Sequence, residues 1–267
     1  MIRLKIGIQT ASLRLPLKKA LHVAADFGAH AVEINGRSEL PASEFGDTAL
    51  RQIRKLLDDL NLSVAAVGFP TRRGYDVLDD LDRRVAATKK AMTMAYKLGA
   101  PVVVNQIGPV PVADAEQRSS AEQDRWQTLC EVLTDLGVYG QKHGALLAAE
   151  TGTEEGAELA ALIRSLPQGA IGVNLDPGNL VVNGFSPAEA ISALGDSILH
   201  VHAKDGVRDL AQNRGIEVPL GRGSADFPAL LAALEEQDYQ GYLTIERRES
   251  ENRLFEIEQA VKYLKNL

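Results

Sequence analysis

The feature that most constrains this chain of 267 residues is a join that recurs along its length. An amphipathic helical segment ends at a glycine or asparagine, the usual left-handed helix C-cap, and a short apolar run follows at once. The residues that end these segments are Gly28, Asn61, Gly99, Gly144, Gly169, Gly195 and Gly241. Together with a strand predicted at residues 5–11, these joins predict eight strands separated by helices.

Strands that alternate with helices pair in parallel, because a helix must carry the chain back to start the next strand. Eight such units in about 250 residues match the (β/α)8 barrel. An open doubly wound sheet is the rival, but its Gly-rich phosphate turn is missing, since QTASLRLP follows Ile8. No linker or shift in composition divides the chain. We therefore predict an α/β fold, a single-domain (β/α)8 TIM barrel over residues 1–267.

Composition excludes several classes of protein. The net charge is -7 and the charged residues form no runs, which argues against sequence-independent binding to nucleic acid. No stretch approaches about 18 consecutive apolar residues, and the first residues lack the apolar region of a signal peptide. The single cysteine, Cys130, has nothing to pair with and is predicted to be a buried thiol. We expect a cytoplasmic protein without nucleic-acid or membrane partners, and leave a homo-oligomer open.

Two predicted connections, residues 70–80 and 206–224, are longer than the others. They follow the third and seventh strands, at the end of a barrel where loops build the active site. The extra length predicts contact with substrate, with tolerated surface insertions as the alternative.

Alternation of side chains predicts which residues face the barrel mouth. The polar faces comprise Leu146, Ala148 and Glu150 in the fifth strand; Gly172, Asn174 and Asp176 in the sixth; His200, His202 and Lys204 in the seventh; and Tyr242, Thr244 and Glu246 in the eighth. The opposite faces are wholly aliphatic or alanine, as packing under helices requires. We therefore expect the polar faces to point inward.

Four consecutive strands thus end in Glu150, Asp176, His202 and Glu246. Three carboxylates converging in a low dielectric could not all stay ionised without a compensating charge, which a divalent cation supplies. Three oxygen ligands and one imidazole suit Mn²⁺, Mg²⁺ or Co²⁺, and also fit catalytic Zn²⁺. We predict one divalent metal ion, with Mn²⁺ preferred. His200 lies two residues deeper and is predicted to support His202 by hydrogen bonding rather than to bind the metal.

The motifs AAET, GVNLDPGNL, HVHAKD and TIE, with VPLGRGSADF before the last, resemble the xylose-isomerase-like TIM-barrel superfamily of sugar isomerases and epimerases. The similarity covers nearly the whole chain and is greatest to the ketose 3-epimerase, hydroxypyruvate isomerase and inosose-processing branches. It implies that Glu150, Asp176, His202 and Glu246 bind the metal and that Glu150 and Glu246 also act as the acid/base pair. It further implies that Arg208 binds substrate.

The chain departs from that pattern at Asn179, because those epimerases usually carry a histidine three residues after the aspartate. Asparagine can donate a hydrogen bond to a sugar oxygen but cannot shuttle a proton, so Asn179 is predicted to bind substrate. Lys204 and Glu33 are two further candidates for substrate binding. The alternatives are a salt bridge at the barrel rim for Lys204 and a structural role for Glu33.

The predicted function is a metal-dependent isomerase or epimerase of a ketose, keto-polyol or related carbohydrate. A bound metal stabilises the enediolate, and two carboxylates can remove and return the proton. The first alternative is a lyase or dehydratase acting on a keto-sugar, keto-polyol or keto-acid, which Asn179 keeps open. A multinuclear zinc endonuclease needs more histidines than the five here, of which His22, His30 and His143 are badly placed. A barrel that only binds sugar is the last alternative.

Overall fold

The computed structural model describes residues 4–41, 46–209 and 214–267. Its strands are β1 (Ile6–Gln9), β2 (Ala31–Asn35), β3 (Ser63–Gly68), β4 (Val102–Asn105), β5 (Leu146–Glu150), β6 (Gly172–Leu175), β7 (Ile198–Ala203), β8 (Asp205–Asp209), β9 (Arg214–Val218) and β10 (Leu243–Ile245). Its α-helices are α1 (Thr10–Leu13), α2 (Leu17–Asp26), α3 (Asp47–Asp59), α4 (Leu81–Leu98), α5 (Ser120–His143), α6 (Gly156–Ser165), α7 (Pro177–Asn183), α8 (Pro187–Leu194), α9 (Phe227–Glu236) and α10 (Arg253–Lys265).

The strands β1 to β7 and β10 form a closed barrel in which every pair of neighbours is parallel. The order around the barrel follows the chain, and β10 closes it by pairing with both β1 and β7. The predicted (β/α)8 barrel is therefore confirmed. Because all eight strands run the same way, their carboxyl ends share one mouth.

Most of the residues predicted to end helices have a positive φ, although Gly169 lies four residues after the end of α6 and Gly195, with ψ of -130°, is outside the left-handed helical region. Positive φ occurs at six of the seven predicted positions, and Gly99 and Gly144 are the C-caps of α4 and α5. The exception is Gly241, where the left-handed residue is Asp238, just after α9. These turns let each helix stop and the next strand begin within a few residues.

The main hydrophobic core lies between the outward faces of the strands and the surrounding helices, with residues such as Leu147, Val173 and Val201 fully buried. A smaller cluster that includes Val104 and Ala148 lies apart from it. Cys130 packs against the main core but is only half-buried, so its predicted burial is incomplete. Within the described ranges, no helix has the length and apolar character needed to cross a membrane.

Two predictions about local structure are wrong. The first strand is shorter than residues 5–11, because β1 ends at Gln9 and α1 begins at Thr10. The connection at 206–224 is not only a loop, because β8 and β9 form an antiparallel ribbon in which Val207 pairs with Ile216. Residues 210–213 of that predicted loop lie outside the described residues.

One side chain ties this ribbon to the barrel. Asp205 is buried, and its two oxygens accept hydrogen bonds from four backbone N–H groups, at 2.8 to 3.0 Å. These donors belong to Gly206, Gly221, Gly223 and Ala225. The segment after the ribbon is therefore fixed to the first residue of β8, next to the barrel mouth.

Candidate metal centre at the barrel mouth

The four predicted metal ligands lie together at the carboxyl ends of adjacent strands. Glu150 is the last residue of β5, Asp176 directly follows β6, His202 lies near the end of β7 and Glu246 follows β10. All four side chains are buried. The barrel register brings them to one level, since Glu150 pairs with Asn174 and His202 pairs with Thr244.

Each of these four side chains offers a ligand atom within 4.8 Å of the other three. His202 Nδ1 lies 3.5 Å from Glu150 Oε1, 3.5 Å from Glu246 Oε2 and 3.6 Å from Asp176 Oδ2. Ligand atoms about 2 Å from one ion are separated by roughly 3 to 4 Å. Three carboxylates and an imidazole with this spacing fit a single divalent cation, in a buried site that otherwise holds excess negative charge.

Glu33 determines which nitrogen of His202 faces the four-ligand cluster. The carboxylate of Glu33 can only accept, so His202 Nε2–H donates to Glu33 Oε2 at 2.8 Å. Without a metal, burial disfavours the charge of His202, but Glu33 and Glu246 outweigh this effect and raise the pKa of His202 well above its usual range. A metal would displace the Nδ1 proton, because Nε2–H stays on Glu33, and the lone pair is then on the atom facing the other ligands. Burial opposes ionisation of Glu33, but the charge and the hydrogen bond of His202, with His200 close by, outweigh it and hold the pKa of Glu33 well below its usual range.

The predicted hydrogen bond from His200 in support of His202 is not seen among the described residues, where the two imidazole rings meet only edge to face. His200 Nε2 lies 3.2 Å from Glu33 Oε2 but out of line for a hydrogen bond. Burial lowers the pKa of His200, so this imidazole is kept neutral. Glu33, His200 and His202 could also surround an ion by distance alone. However, His202 Nε2 already donates to Glu33, which leaves that group without a free imidazole lone pair from His202.

Lys204 and Asn179 lie on the acidic cluster itself. Lys204 Nζ is 3.0 Å from Glu246 Oε2, 3.5 Å from Asp176 Oδ2 and 2.9 Å from Asn179 Oδ1. Burial disfavours the charge of Lys204, but Asp176 and Glu246 outweigh this effect and raise its pKa. Asn179 Nδ2 donates to Glu150 Oε1 at 3.3 Å. Both residues thus adjoin the predicted ligands, and their contact with substrate stays a prediction.

Glu33 lines the mouth cavity as well as bonding to His202, so its role in substrate binding also stays a prediction. Arg208 is placed differently. It is exposed on β8, and its guanidinium donates to the carbonyl of Asn183 at 3.4 Å. Arg208 is not among the residues that line the mouth cavity in the described part of the chain. Its predicted contact with substrate is neither supported nor tested by this placement.

Sequence reasoning missed two residues that hold Glu246. Gln9 Nε2 donates to Glu246 Oε1 at 3.1 Å, and Arg248 Nε donates to the same oxygen at 2.6 Å. Alternation could have indicated Gln9, which is the last residue of β1 and points opposite to Ile8. It gives no such signal for Arg248, because β10 ends at Ile245.

The cavity at the mouth has a volume of about 410 Å³ and is lined by Glu150, His202, Glu246 and Arg248 among others. A larger cavity of about 890 Å³ lies at the opposite end, lined by the starts of β1 and β10, by His30 and by apolar residues of α9. Among the described residues, the groups of His, Asp and Glu that could hold a metal lie at the mouth, which marks the smaller cavity as the candidate site.

The fold and donor set define a parallel (β/α)8 barrel with a candidate metal centre at its mouth. More specifically, the chain belongs to the xylose isomerase-like TIM barrel family, whose model matches residues 21–267. Inosose dehydratase from Halalkalibacterium halodurans is 25% identical over 237 residues, covering 79% of this chain and 76% of that protein.

Solved structures share the fold at low identity. A xylose isomerase domain protein from Planctomyces limnophilus superposes with a TM-score of 0.83 and 24% identity, covering 99% of this chain and 97% of that one. D-psicose 3-epimerase from Clostridium cellulolyticum, solved with D-tagatose, gives 0.77 and 16%, covering 98% and 99%. These likenesses establish the barrel.

Proposed function

We propose that this protein is a divalent-metal-dependent dehydratase that removes a proton next to the carbonyl of a keto-polyol or keto-sugar and then expels the neighbouring hydroxyl as water. The observation that carries the proposal is an asymmetry between Glu150 and Glu246, the two carboxylates at opposite sides of His202. Elimination requires only one free carboxylate, whereas epimerisation by two bases requires two.

Both oxygens of Glu246 are occupied. Oε1 accepts from Gln9 and Arg248, and Oε2 accepts from Lys204. In contrast, Glu150 Oε1 accepts from Asn179, while Glu150 Oε2 has no hydrogen-bond donor among the described residues. Glu150 therefore has a lone pair available for a substrate proton, whereas both oxygens of Glu246 are held by donors.

The residues then have distinct roles in the reaction. A bound divalent cation would be held by Glu150, Asp176, His202 and Glu246 and would stabilise negative charge on the substrate oxygens. Glu150 Oε2 takes the proton from the carbon next to the carbonyl, and the electrons form a carbon–carbon double bond as the neighbouring C–O bond breaks. The same carboxyl returns its proton to the departing hydroxide, so the net product besides the enone is one water.

Asn179 fits this role for Glu150. Its amide orients the Glu150 carboxylate and has no proton to exchange near neutral pH, unlike a histidine. The curated relative named inosose dehydratase supports the same direction, since its name describes loss of water from a keto-inositol.

Epimerisation is the second candidate. The observation that favours it is that Glu150 Oε1 and Glu246 Oε2 each lie 3.5 Å from His202 Nδ1, on strands from different parts of the chain. Two carboxylates that flank a substrate can remove a proton on one side and return it on the other. The likeness to a ketose 3-epimerase structure adds only the shared fold.

The test is incubation of the Mn²⁺-loaded protein with inosose in D₂O, followed by NMR and ultraviolet absorbance. Dehydration gives an enone absorbance, whereas epimerisation exchanges deuterium into recovered sugar without loss of water. We expect Glu150→Gln to lower turnover by about 10²- to 10⁴-fold. Glu246→Gln is expected to keep much of the turnover once metal is saturating, which would exclude the two-base reaction. Exposed Glu155→Gln, at the start of α6, is the matched control. Exchange without an enone would contradict the dehydratase proposal.

A further inference from the structure

Two arginines at the barrel mouth meet at one neutral atom. Arg14 Nη2 donates to the carbonyl oxygen of Arg248 at 3.3 Å, and Arg253 Nη1 donates to the same oxygen at 3.5 Å. Arg253 makes a second bond to the carbonyl of Ser250. In the described part of the chain, neither guanidinium has a carboxylate partner. A single carbonyl thus holds two positive charges within about 7 Å of each other.

The two neighbouring arginines, Arg247 and Arg248, differ from this pair because each forms an ion pair with a glutamate. Arg247 is buried and pairs with Glu217 and Glu256, both at 2.7 Å. Arg248 pairs with Glu246 at 2.6 Å. Arg14 and Arg253, in contrast, form no ion pair with a carboxylate of the described residues, although two like charges this close repel each other. Their guanidinium groups retain N–H donors in the planar fork that matches carboxylate and phosphate oxygens.

The backbone that presents Arg14 is itself unusual. Arg14 ends α1 in the left-handed conformation, with φ of 51°. This conformation costs a non-glycine residue of order 1 kcal/mol and recurs at ligand sites. The chain therefore holds Arg14 over the mouth at some expense in backbone energy, where glycine would have been free of strain.

Arg14 and Arg253 line the same cavity of about 410 Å³ as Glu150 and Glu246. The carbonyl they share belongs to Arg248, whose side chain lies on Glu246. The pair is thus one residue removed from the acidic cluster, within a cavity that suits a small molecule. A ligand that fills this cavity can reach the predicted metal ligands with one end and both guanidinium groups with the other.

From this geometry we infer that Arg14 and Arg253 form an oxyanion subsite and that the substrate is a keto-polyol or keto-sugar carrying a carboxylate or phosphate group. This inference rests on the proposed function for its substrate skeleton, but the subsite is defined by the two arginines alone. It adds a charge requirement that the four metal ligands do not impose. An acidic keto-polyol is then expected to bind more tightly than neutral inosose, which can still be dehydrated.

The test is isothermal titration with inorganic phosphate and, separately, with malonate, on protein freed of metal by EDTA and then dialysed into buffer without chelator. We expect saturable binding of one anion per chain, weakened at least tenfold by Arg14→Met and by Arg253→Met. Arg253→Lys should recover part of the affinity, since it keeps the charge but not the fork. The tighter of the two probes identifies phosphate or carboxylate as the group that is read. Thermal unfolding checks that each variant is folded.

Arg83 provides the control. It is exposed and lines a neighbouring cavity of about 800 Å³ together with Arg37 and Arg72, and it has no ion pair among the described residues. Arg83→Met should leave binding unchanged. Absence of saturable binding, equal binding by the Arg14→Met/Arg253→Met double variant, or loss of binding in Arg83→Met would each overturn the inference. Because no turnover is measured, failure here is distinct from failure of the dehydration assay.

Discussion

Removing the Glu33 carboxylate should weaken metal binding although Glu33 is not among the four ligands. In Glu33→Leu, His202 Nε2–H loses an acceptor 2.8 Å away inside a buried site. An unsatisfied buried donor costs about 1 to 3 kcal/mol. Without Glu33, nothing keeps the remaining proton of a neutral imidazole on Nε2, and it can stay on Nδ1, the atom 3.5 Å from Glu150 and Glu246, where it blocks the metal. Loss of such an outer partner typically costs 10- to 100-fold in metal affinity.

That loss corresponds to about 1.4 to 2.7 kcal/mol of binding free energy. The assay is calorimetric titration of the metal-free protein with Mn²⁺ at pH 7.5. Glu33→Gln keeps an acceptor oxygen and should lose less than Glu33→Leu. Glu39→Gln is the matched control, because Glu39 accepts from Thr10 and Asn35 but makes no contact with His202. Wild-type affinity in Glu33→Leu, or an equal loss in Glu39→Gln, would refute the role of Glu33.

Three further changes probe stability. Burial raises the pKa of Glu154 from 4.5 to about 7. The free energy of unfolding should therefore fall by about 3 kcal/mol as the pH rises from 4.5 to 7, because the folded protein resists ionisation of this carboxyl. In urea unfolding, Glu154→Gln should therefore gain about this much over wild type at pH 8 and little at pH 4.5; an equal gain at both would contradict the shift. Asp205→Ala leaves four backbone N–H donors without an acceptor and should lower the free energy of unfolding by about 3 kcal/mol or more. Asp226→Ala, which removes only the N-cap of α9, should lower it by about 1 kcal/mol. Thr244→Val removes a buried hydroxyl that has no hydrogen-bond partner in the described part of the chain, and should stabilise the fold by about 1 kcal/mol, as measured by its urea midpoint.

Much of the barrel could be predicted because its information is local. Consecutive residues alone indicate that a helix ends at Gly144 and that a strand with alternating side chains runs up to Glu150. Parallel pairing then follows from the helix between strands, and it brings Glu150, Asp176, His202 and Glu246 to one end. Their convergence within 4.8 Å needed no knowledge of tertiary contacts beyond the fold.

What the sequence could not supply depends on contacts between distant segments. Glu33 reaches His202 across 169 residues, from the far side of the barrel, so its partner depends on barrel closure and register. The segment after the ribbon of β8 and β9 is held in place because Asp205 accepts from N–H groups of residues up to 20 positions away. The same limit applies to Lys204, for which a salt bridge and substrate contact were equally open. The structure shows that its ammonium group lies on Asp176 and Glu246.

The central claim is that one divalent ion binds among Glu150, Asp176, His202 and Glu246. Its most direct test is anomalous diffraction at the manganese edge from crystals grown with Mn²⁺. We predict one peak per chain, in contact with all four side chains. A peak among Glu33, His200 and His202 instead, or no peak at the mouth, would contradict the account.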